Sequence, residues 1–475
     1  MAHIAIIGGG IAGLATAYYL QKKREATGAP IEYTLIESDT RFGGKIVTRT
    51  IDDFVIEGGP DSLVTTKPWG VALCRDLGLD DELIPTNDYK RGIFVVNKGK
   101  LIEFPGGFRL TVPTEFVPFA FSPLISPLGK LRMGMDLFIH PRQEIGDESL
   151  ASFVRRRLGQ EALDKIAGPM MAGIYMADPE RMSLQSTFPQ FLEMEQRHGS
   201  LIRAMQQAKK NRPSNGATKG QPPPMFFSLK GGLNDLVGAL VSRLDGQLCL
   251  GQRVTALRAT NPGFEIRLDS ANVPAITADA VVLAIPAYTA AHLVEPFLPE
   301  LAQLLANIRY VSTATISLGY RRANVISQHN FEGFGFLIPK SEKRQLAACT
   351  WTSTKFDGRV PGDDILLRVF VGGDGHEDVV DVPDSELLSL IRAEIADLMG
   401  ITAEPVVCQI FRWTKGNPQY DVGHMIRVDQ MKELTQQSAG LYLTGSAYRG
   451  IGIPDCVKDA KLTAECIFNQ LYSNV

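Results

Sequence analysis

An α/β fold opening on a strand–helix–strand unit is the first expectation from this sequence, and three observations carry it. A short apolar, β-rich run, HIAIIG, occupies residues 3–8. From Gly10 to about Arg24, Ala12, Leu14, Ala15, Ala17, Tyr18 and Leu20 line the buried side of a predicted helix. After a break at ATGAP, a second strand-like run, YTLIE, spans 33–37.

The turn between the first strand and the helix carries chemistry. Gly8, Gly9, Gly10, Ile11, Ala12 and Gly13 fit the pattern G-x-G-x-x-G. Gly8 permits the tight turn, Gly10 lets the backbone approach a pyrophosphate, and Gly13 lets the helix pack on the strand. The helix start supplies free N–H groups and the positive dipole end to the phosphates. Glu37, at the end of the second strand, is placed to accept hydrogen bonds from a ribose diol. The alternative for this segment is a structural glycine turn with Glu37 on the surface.

A second glycine loop follows at once: Arg41-Phe42-Gly43-Gly44-Lys45. Its two cations can meet phosphate charge, and its glycine doublet resembles that of flavoproteins in the amine-oxidase and phytoene-desaturase superfamily, in which the nucleotide is FAD. A third segment, Glu57-Gly58-Gly59-Pro60-Asp61-Ser62, comes next. A fourth lies at the far end, where the strand-like LYLTGS (441–446) leads through Gly450-Ile451-Gly452-Ile453-Pro454 into a last helix over 455–471. Strand, glycine loop and helix start again make an anion- and flavin-edge-binding device.

Between these ends, residues from about 70 to 208 read as mostly helical, with SLASFVRRRLG and EALDKIAGPMMAGIY the clearest helices. Residues 110–129 are apolar but hold four prolines, so they predict short helices and loops, a greasy channel lining or a membrane-surface contact, not a spanning helix. KKNRPSNGATKGQPPP (209–224) reads as a mobile surface loop. QLCLGQRVTALR, FEIRL, AVVLAIP, VSTATISLGY, GFGFLIP, LAACTW and ILLRVFVG predict strands, and DSELLSLIRAEIADLMG an amphipathic helix. The expected architecture is a Rossmann-like FAD-binding domain built from discontinuous segments 1–66, 225–300 and 413–475. A mainly helical, substrate- or membrane-facing insertion covers 67–224, and a mixed-sheet substrate domain covers 301–412.

Composition narrows the function. With 49 Lys plus Arg against 52 Asp plus Glu, the net charge of −3 argues against nucleic-acid binding. The six cysteines form no CxxC pair and no zinc-ligand spacing with His, so they predict free thiols in a reducing, cytoplasmic compartment and no metal. The start, MAHIAIIGGG, shows no signal-peptide pattern.

The strings GGGIAGLATAYYL, ESDTRFGGKIVT, EGGPDSL, MSLQSTFPQF, PQYDVGH, ACTWTS and YLTGSAYRGIGIPDC together resemble the bacterial porphyrinogen oxidases, from residue 3 to about 470. The Gram-positive, coproporphyrin-forming type is the nearest in pattern. By position, the resemblance implies FAD contacts at Gly8 to Gly13, Glu37, Ser38, Lys45, Gly59, Pro60, Asp61, Ser62, Val254, Ser446, Ile451, Gly452 and Ile453. It implies a six-electron oxidation of coproporphyrinogen III by molecular oxygen with release of hydrogen peroxide. No catalytic base is assigned, because pyrrole N–H groups can lose the protons. Lys67 and Arg449 are the candidate partners of the substrate propionates, and Ile174 a candidate contact to the macrocycle. Protoporphyrinogen IX as substrate, another amine oxidase or desaturase, and a flavin-binding protein without turnover stay open as alternatives. So do weak membrane-surface contact and transient contact with pathway enzymes.

Overall fold

The computed structural model describes residues 1–88, 92–104, 108–109, 112–113, 122–144, 146–210, 224–270 and 273–472. The apolar run at 110–129 and the Pro-rich loop at 209–224 therefore lie largely outside the described residues.

Apolar strands too short to bury both faces alone assemble into a five-stranded parallel sheet. Its order is Gln247–Cys249, Ile31–Ile36, Ala2–Ile7, Ala280–Leu283, Leu441–Leu443. The register pairs Ile4 with Tyr33 on one side and with Ala280 on the other, and Val282 with Tyr442. Three remote stretches of chain thus build one sheet. The N-terminal helix (Ile11–Thr27) and the C-terminal helix (Ile453–Tyr472) share one face of it. Ile4, Ile6, Leu14, Leu35, Val282, Val457, Ala464 and Ile467 interlock there with no exposed surface. Each such aliphatic side chain stabilises the fold by roughly 1.5–3 kcal/mol. The fold is the α/β class expected, its parallel sheet assembled from discontinuous segments.

The second large sheet has seven strands, ordered Val407–Pro418, Tyr310–Tyr320, Ile365–Gly372, Leu346–Trp351, Gly335–Leu337, Ile93–Asn97, Lys100–Glu103. All neighbours are antiparallel except 335–337 with 93–97. The helix Asp384–Met399 covers one face through Leu387, Ile391 and Ile395. This sheet corrects two sequence boundaries. The expected helical insertion donates two edge strands, because IFVVN and KLIE around the tight turn at Lys98-Gly99 form a hairpin. The last strand runs past residue 412 to Pro418, with a bulge between Trp413 and Asn417.

The helical part packs around Phe153, Ile166, Leu184 and Phe191. Its centre holds a fully buried ion pair, Arg157 with Asp136. All five guanidinium hydrogens find acceptors: Asp136 Oδ1 (2.6 Å) and its carbonyl (3.0 Å), the carbonyls of Ile139 (2.9 Å) and Gly199 (2.8 Å), and Glu195 (3.3 Å). Ser200 Oγ and the Ile202 N–H donate to the other Asp136 oxygen. No helix among the described residues is long and apolar enough to cross a membrane.

Replacing Arg157 by Leu strands the Asp136 carboxylate in the core, so chemical denaturation should report a loss of about 3–5 kcal/mol. A loss under 1 kcal/mol would show that the pair is dispensable.

Candidate functional site

The first loop is closed by backbone contacts only glycine allows. A Cβ on Gly13 would stand 1.9 Å from the Gly8 carbonyl oxygen, so the helix sits directly on the turn. Gly8 donates to the carbonyl of Ile36 (2.8 Å). Gly9 donates to Glu37 Oε2 (2.6 Å), and Asp39 donates to Oε1 of the same carboxylate (2.8 Å). Glu37 therefore pins the glycine turn to the end of the second strand. Gly10 faces open space, with no atom within 4 Å of where its Cβ would be. The N–H groups of Ala12 and Gly13 have no partner among the described residues, as the first turn of a helix leaves them. Ser38 is exposed, with Oγ 3.3 Å from Glu37. Gly251 and Gln252 donate to the carbonyls of Asp39 and Glu37 (2.9 Å each), which brings Val254, the first residue of the next strand, alongside this end.

The second loop folds against the first: Gly43 donates to the carbonyl of Gly9 (2.8 Å). Arg41 caps the carbonyls of Phe42, Gly44 and Ile46 through Nη1 and Nη2 and keeps its side chain 38% exposed. Lys45 has no carboxylate partner among the described residues. Burial pushes its ammonium pKa down, and the Cys456 thiol is the facing group that acts in the other direction. A desolvated cation without a counter-charge, beside unpaired N–H groups, fits an anionic ligand.

The third segment reaches both. A Cβ on Gly59 would lie 1.8 Å from the Lys45 carbonyl oxygen. The next residues, Pro60 and Asp61, enter a buried charge cluster that sequence reasoning missed. Asp61 Oδ2 is 2.8 Å from Lys355 Nζ and 3.8 Å from Arg368, and Ser62 Oγ donates to Oδ1 (2.7 Å). Arg368 also donates to the Gly59 carbonyl. Nearby, Glu57 accepts from Thr48 Oγ1 and the Leu233 N–H (2.7 Å each), 4.0 Å from Arg359. Burial alone would raise the Asp61 carboxyl, but Lys355 and Arg368 outweigh it and hold the group well below the usual carboxylate range. The one signal in the sequence was the Arg inside the apolar strand ILLRVFVG.

The C-terminal loop, 444–453, closes the site. A Cβ on Gly445 would lie 3.7 Å from the Ala12 Cβ, so the two chain ends touch at the mouth of the first helix. Asp459 anchors the loop by accepting from Thr444 Oγ1 (2.8 Å) and the Gly445 N–H (3.3 Å). The N–H groups of Ile451, Gly452 and Ile453 have no partner among the described residues, and the Ser446 carbonyl is held by the hydroxyl of Tyr420 (2.8 Å). Lys67 pairs with Asp455 in the first turn of the C-terminal helix (2.6 Å) and keeps its side chain 45% exposed. Arg449 is exposed and lies 3.6 Å from Asp429. Ile174 belongs to the helix Gly168–Tyr175, but its side chain is outside the described residues. Its neighbour Tyr175 is pushed up to about 12 by burial and by the Asp455 carboxylate, so it stays a neutral phenol.

Three loops thus converge on one cradle lined by unpaired N–H groups, an open Gly10 and an unneutralised Lys45. These residues fit FAD: the first turn and Lys45 would hold the pyrophosphate, and the last loop the flavin edge. No group of three or more His, Cys, Asp or Glu able to hold a metal occurs among the described residues.

The fold and cradle define a flavoprotein oxidoreductase. The model of the family of flavin-containing amine oxidoreductases matches residues 11–468, and the chain belongs to that family and, within it, to the porphyrinogen oxidases. It is 35% identical to coproporphyrinogen III oxidase of Bacillus subtilis (strain 168), over 99% of both chains. It is 33% identical to the enzyme of the same name from Staphylococcus aureus, over 98% of this chain and 99% of that one. Protoporphyrinogen oxidase 1 of Arabidopsis thaliana chloroplasts is 28% identical, over 97% of this chain and 86% of that one. A crystal structure of a candidate protoporphyrinogen oxidase from Exiguobacterium sp. 255-15 superposes with a TM-score of 0.84 at 31% identity, over 99% of each chain. Wild-type putrescine oxidase, at 17% identity and a TM-score of 0.68, shares the fold.

Asp61→Asn leaves Lys355 and Arg368 buried without their carboxylate, and unfolding free energy at neutral pH should fall by about 3 kcal/mol. A folded-state pKa below the unfolded one contributes stability that is full above about pH 4 and lost as pH falls through the depressed value. Denaturation of the two proteins at neutral pH and near pH 3 should therefore show the gap narrowing in acid. A gap independent of pH would contradict the pairing.

Proposed function

We propose that this chain oxidises coproporphyrinogen III to coproporphyrin III in heme biosynthesis, in the cytoplasm. Six electrons and six protons leave the substrate, and three molecules of oxygen become three of hydrogen peroxide. What carries the reading is the full-length 33–35% identity to two coproporphyrinogen III oxidases, joined to a cradle built for one flavin. Bound FAD supplies hydride acceptance and transfer of the electrons to oxygen. The protein's part is placement.

The two terminal loops fix the nucleotide. The helical part carries Tyr175 within electrostatic reach of Asp455 at the start of the C-terminal helix, and Gln419 Nε2 donates to the Tyr175 carbonyl (3.5 Å). Tyr175 packs edge-on against the buried Phe188, so its own half-buried ring is the aromatic surface offered to a macrocycle. Lys67, at the rim with Asp455, and the exposed Arg449 offer cations to propionates arriving from solvent. A protein base is unnecessary, since a pyrrole N–H can supply the proton lost in each cycle.

In air-saturated buffer, the yellow holoenzyme should produce porphyrin fluorescence from coproporphyrinogen III with three peroxides per porphyrin, faster than from protoporphyrinogen IX. A faster initial rate on the divinyl substrate would overturn the choice of substrate. An amine oxidised in place of either would overturn the reaction class. Lys67→Ala should raise the Michaelis constant for coproporphyrinogen III by roughly tenfold, the value of one charge-assisted hydrogen bond, and leave FAD affinity as it was. Unchanged steady-state constants would remove Lys67 from the substrate rim.

A further inference from the structure

The segment PQYDVGH (418–424) contributes nothing to the nucleotide cradle as described, yet it is among the most tightly held pieces of the molecule. It leaves the end of the strand Val407–Pro418 and is fixed from three sides. Gln419 donates its N–H to the Arg309 carbonyl (2.8 Å), and Arg309 grips the Asp421 carboxylate through Nη2 (2.9 Å) and Nε (3.2 Å). Ser183, from the helical part, donates its N–H to the Tyr420 carbonyl (2.7 Å). Tyr420 is 5% exposed and His424 fully buried, and their rings stack with centroids 4.0 Å apart at 13°.

Both side chains then reach into one loop. The Tyr420 hydroxyl donates to the Ser446 carbonyl (2.8 Å) and accepts from the Gly450 N–H (2.8 Å). His424 Nε2 lies 2.9 Å from the Tyr448 carbonyl. A carbonyl only accepts, so Nε2 carries the hydrogen, and Nδ1 is buried with no partner among the described residues. Burial pushes the imidazole pKa down to about 4, against which the Tyr448 bond acts, so the ring is neutral at physiological pH. Three backbone groups at alternate positions, 446, 448 and 450, are thus clamped from behind. The N–H groups of Ile451, Gly452 and Ile453, immediately beyond the last clamp, are left for a ligand.

We infer that Tyr420 and His424 are positioning residues which hold the 446–450 backbone so that the following N–H groups meet the flavin. A loop with three Gly in positions 445–452 has many conformations, and fixing one of them in advance removes the ordering cost from cofactor binding. Neither side chain has to touch FAD. The inference rests on the flavin assignment, not on which porphyrinogen is oxidised.

The test is Tyr420→Phe, which keeps the stack on His424 and removes both hydroxyl bonds. Apoprotein is titrated with FAD by flavin fluorescence quenching, and the thermal midpoint of each apoprotein is recorded. Tyr33→Phe is the matched control, because it deletes a buried hydroxyl bond (2.8 Å to Gln21) away from the loop. Tyr420→Phe should raise the FAD dissociation constant by roughly tenfold or more, two lost buried hydrogen bonds being ample for that. Tyr33→Phe should lower the midpoint to a similar degree with the dissociation constant unchanged. His424→Phe, which keeps a ring in the stack, should weaken FAD by a smaller factor. If Tyr420→Phe binds FAD as wild type does, or if Tyr33→Phe weakens FAD equally, the clamp is merely structural and the inference fails. Wild-type apoprotein that takes up no FAD would overturn the flavin assignment, and the clamp with it.

Discussion

A parallel sheet drawn from three remote parts of the chain is the constraint on which everything else depends. Parallel strands all present their carboxyl ends on one edge. Once residues 2–7, 280–283 and 441–443 lie side by side, the loops that follow the first and last of them must open at the same place. The glycine turn at 8–13 and the loop at 444–453 therefore meet across Ala12 and Gly445, although they begin and end the sequence. The cradle is a consequence of topology before it is a consequence of any side chain.

Close backbone contact makes that cradle shallow enough for a nucleotide. Gly13 rests on Gly8, and Gly59 rests on Lys45, at separations no Cβ could occupy. Charge then holds the second sheet to the first. Arg368 comes from the seven-stranded sheet, Lys355 from the short helix Thr352–Lys355 between two of its strands, and their pairing with Asp61 ties the third glycine segment to that sheet. Buried ion pairs contribute little net stability against apolar replacements, but they are costly to break singly. Such a cluster therefore fixes the relative placement of the third glycine segment and the seven-stranded sheet more than it strengthens either.

The fold was legible because its signals are local. The short apolar run HIAIIG, the glycine turn and the helical spacing of Leu14, Ala17 and Leu20 each specify an element without reference to the rest. The terminal loops were legible because glycine patterns at strand ends have few other uses. Partnerships made across the fold were not. The helix SLASFVRRRLG is legible, but nothing local marks the last of its three arginines, Arg157, as fully buried on Asp136, twenty-one positions upstream. The contacts Arg41 makes with the carbonyls of its own loop were not legible either. Arg368 stands out only as a charge inside an apolar strand, and Lys355 carries no signature at all; their pairing with Asp61 is seen only in the fold. The edge hairpin at 93–103 was hidden inside a helical neighbourhood, because a strand of five residues gains its meaning from the sheet it joins.

The central claim is that both ends of the chain grip one flavin. Hydrogen–deuterium exchange, comparing apoprotein with FAD-saturated protein, tests it at the backbone groups concerned. The account predicts slowed exchange in two separate peptides, one covering residues 8–13 and one covering 446–453, at a single FAD per chain. Slowing confined to the first peptide, with the second exchanging as fast as in the apoprotein, would contradict it.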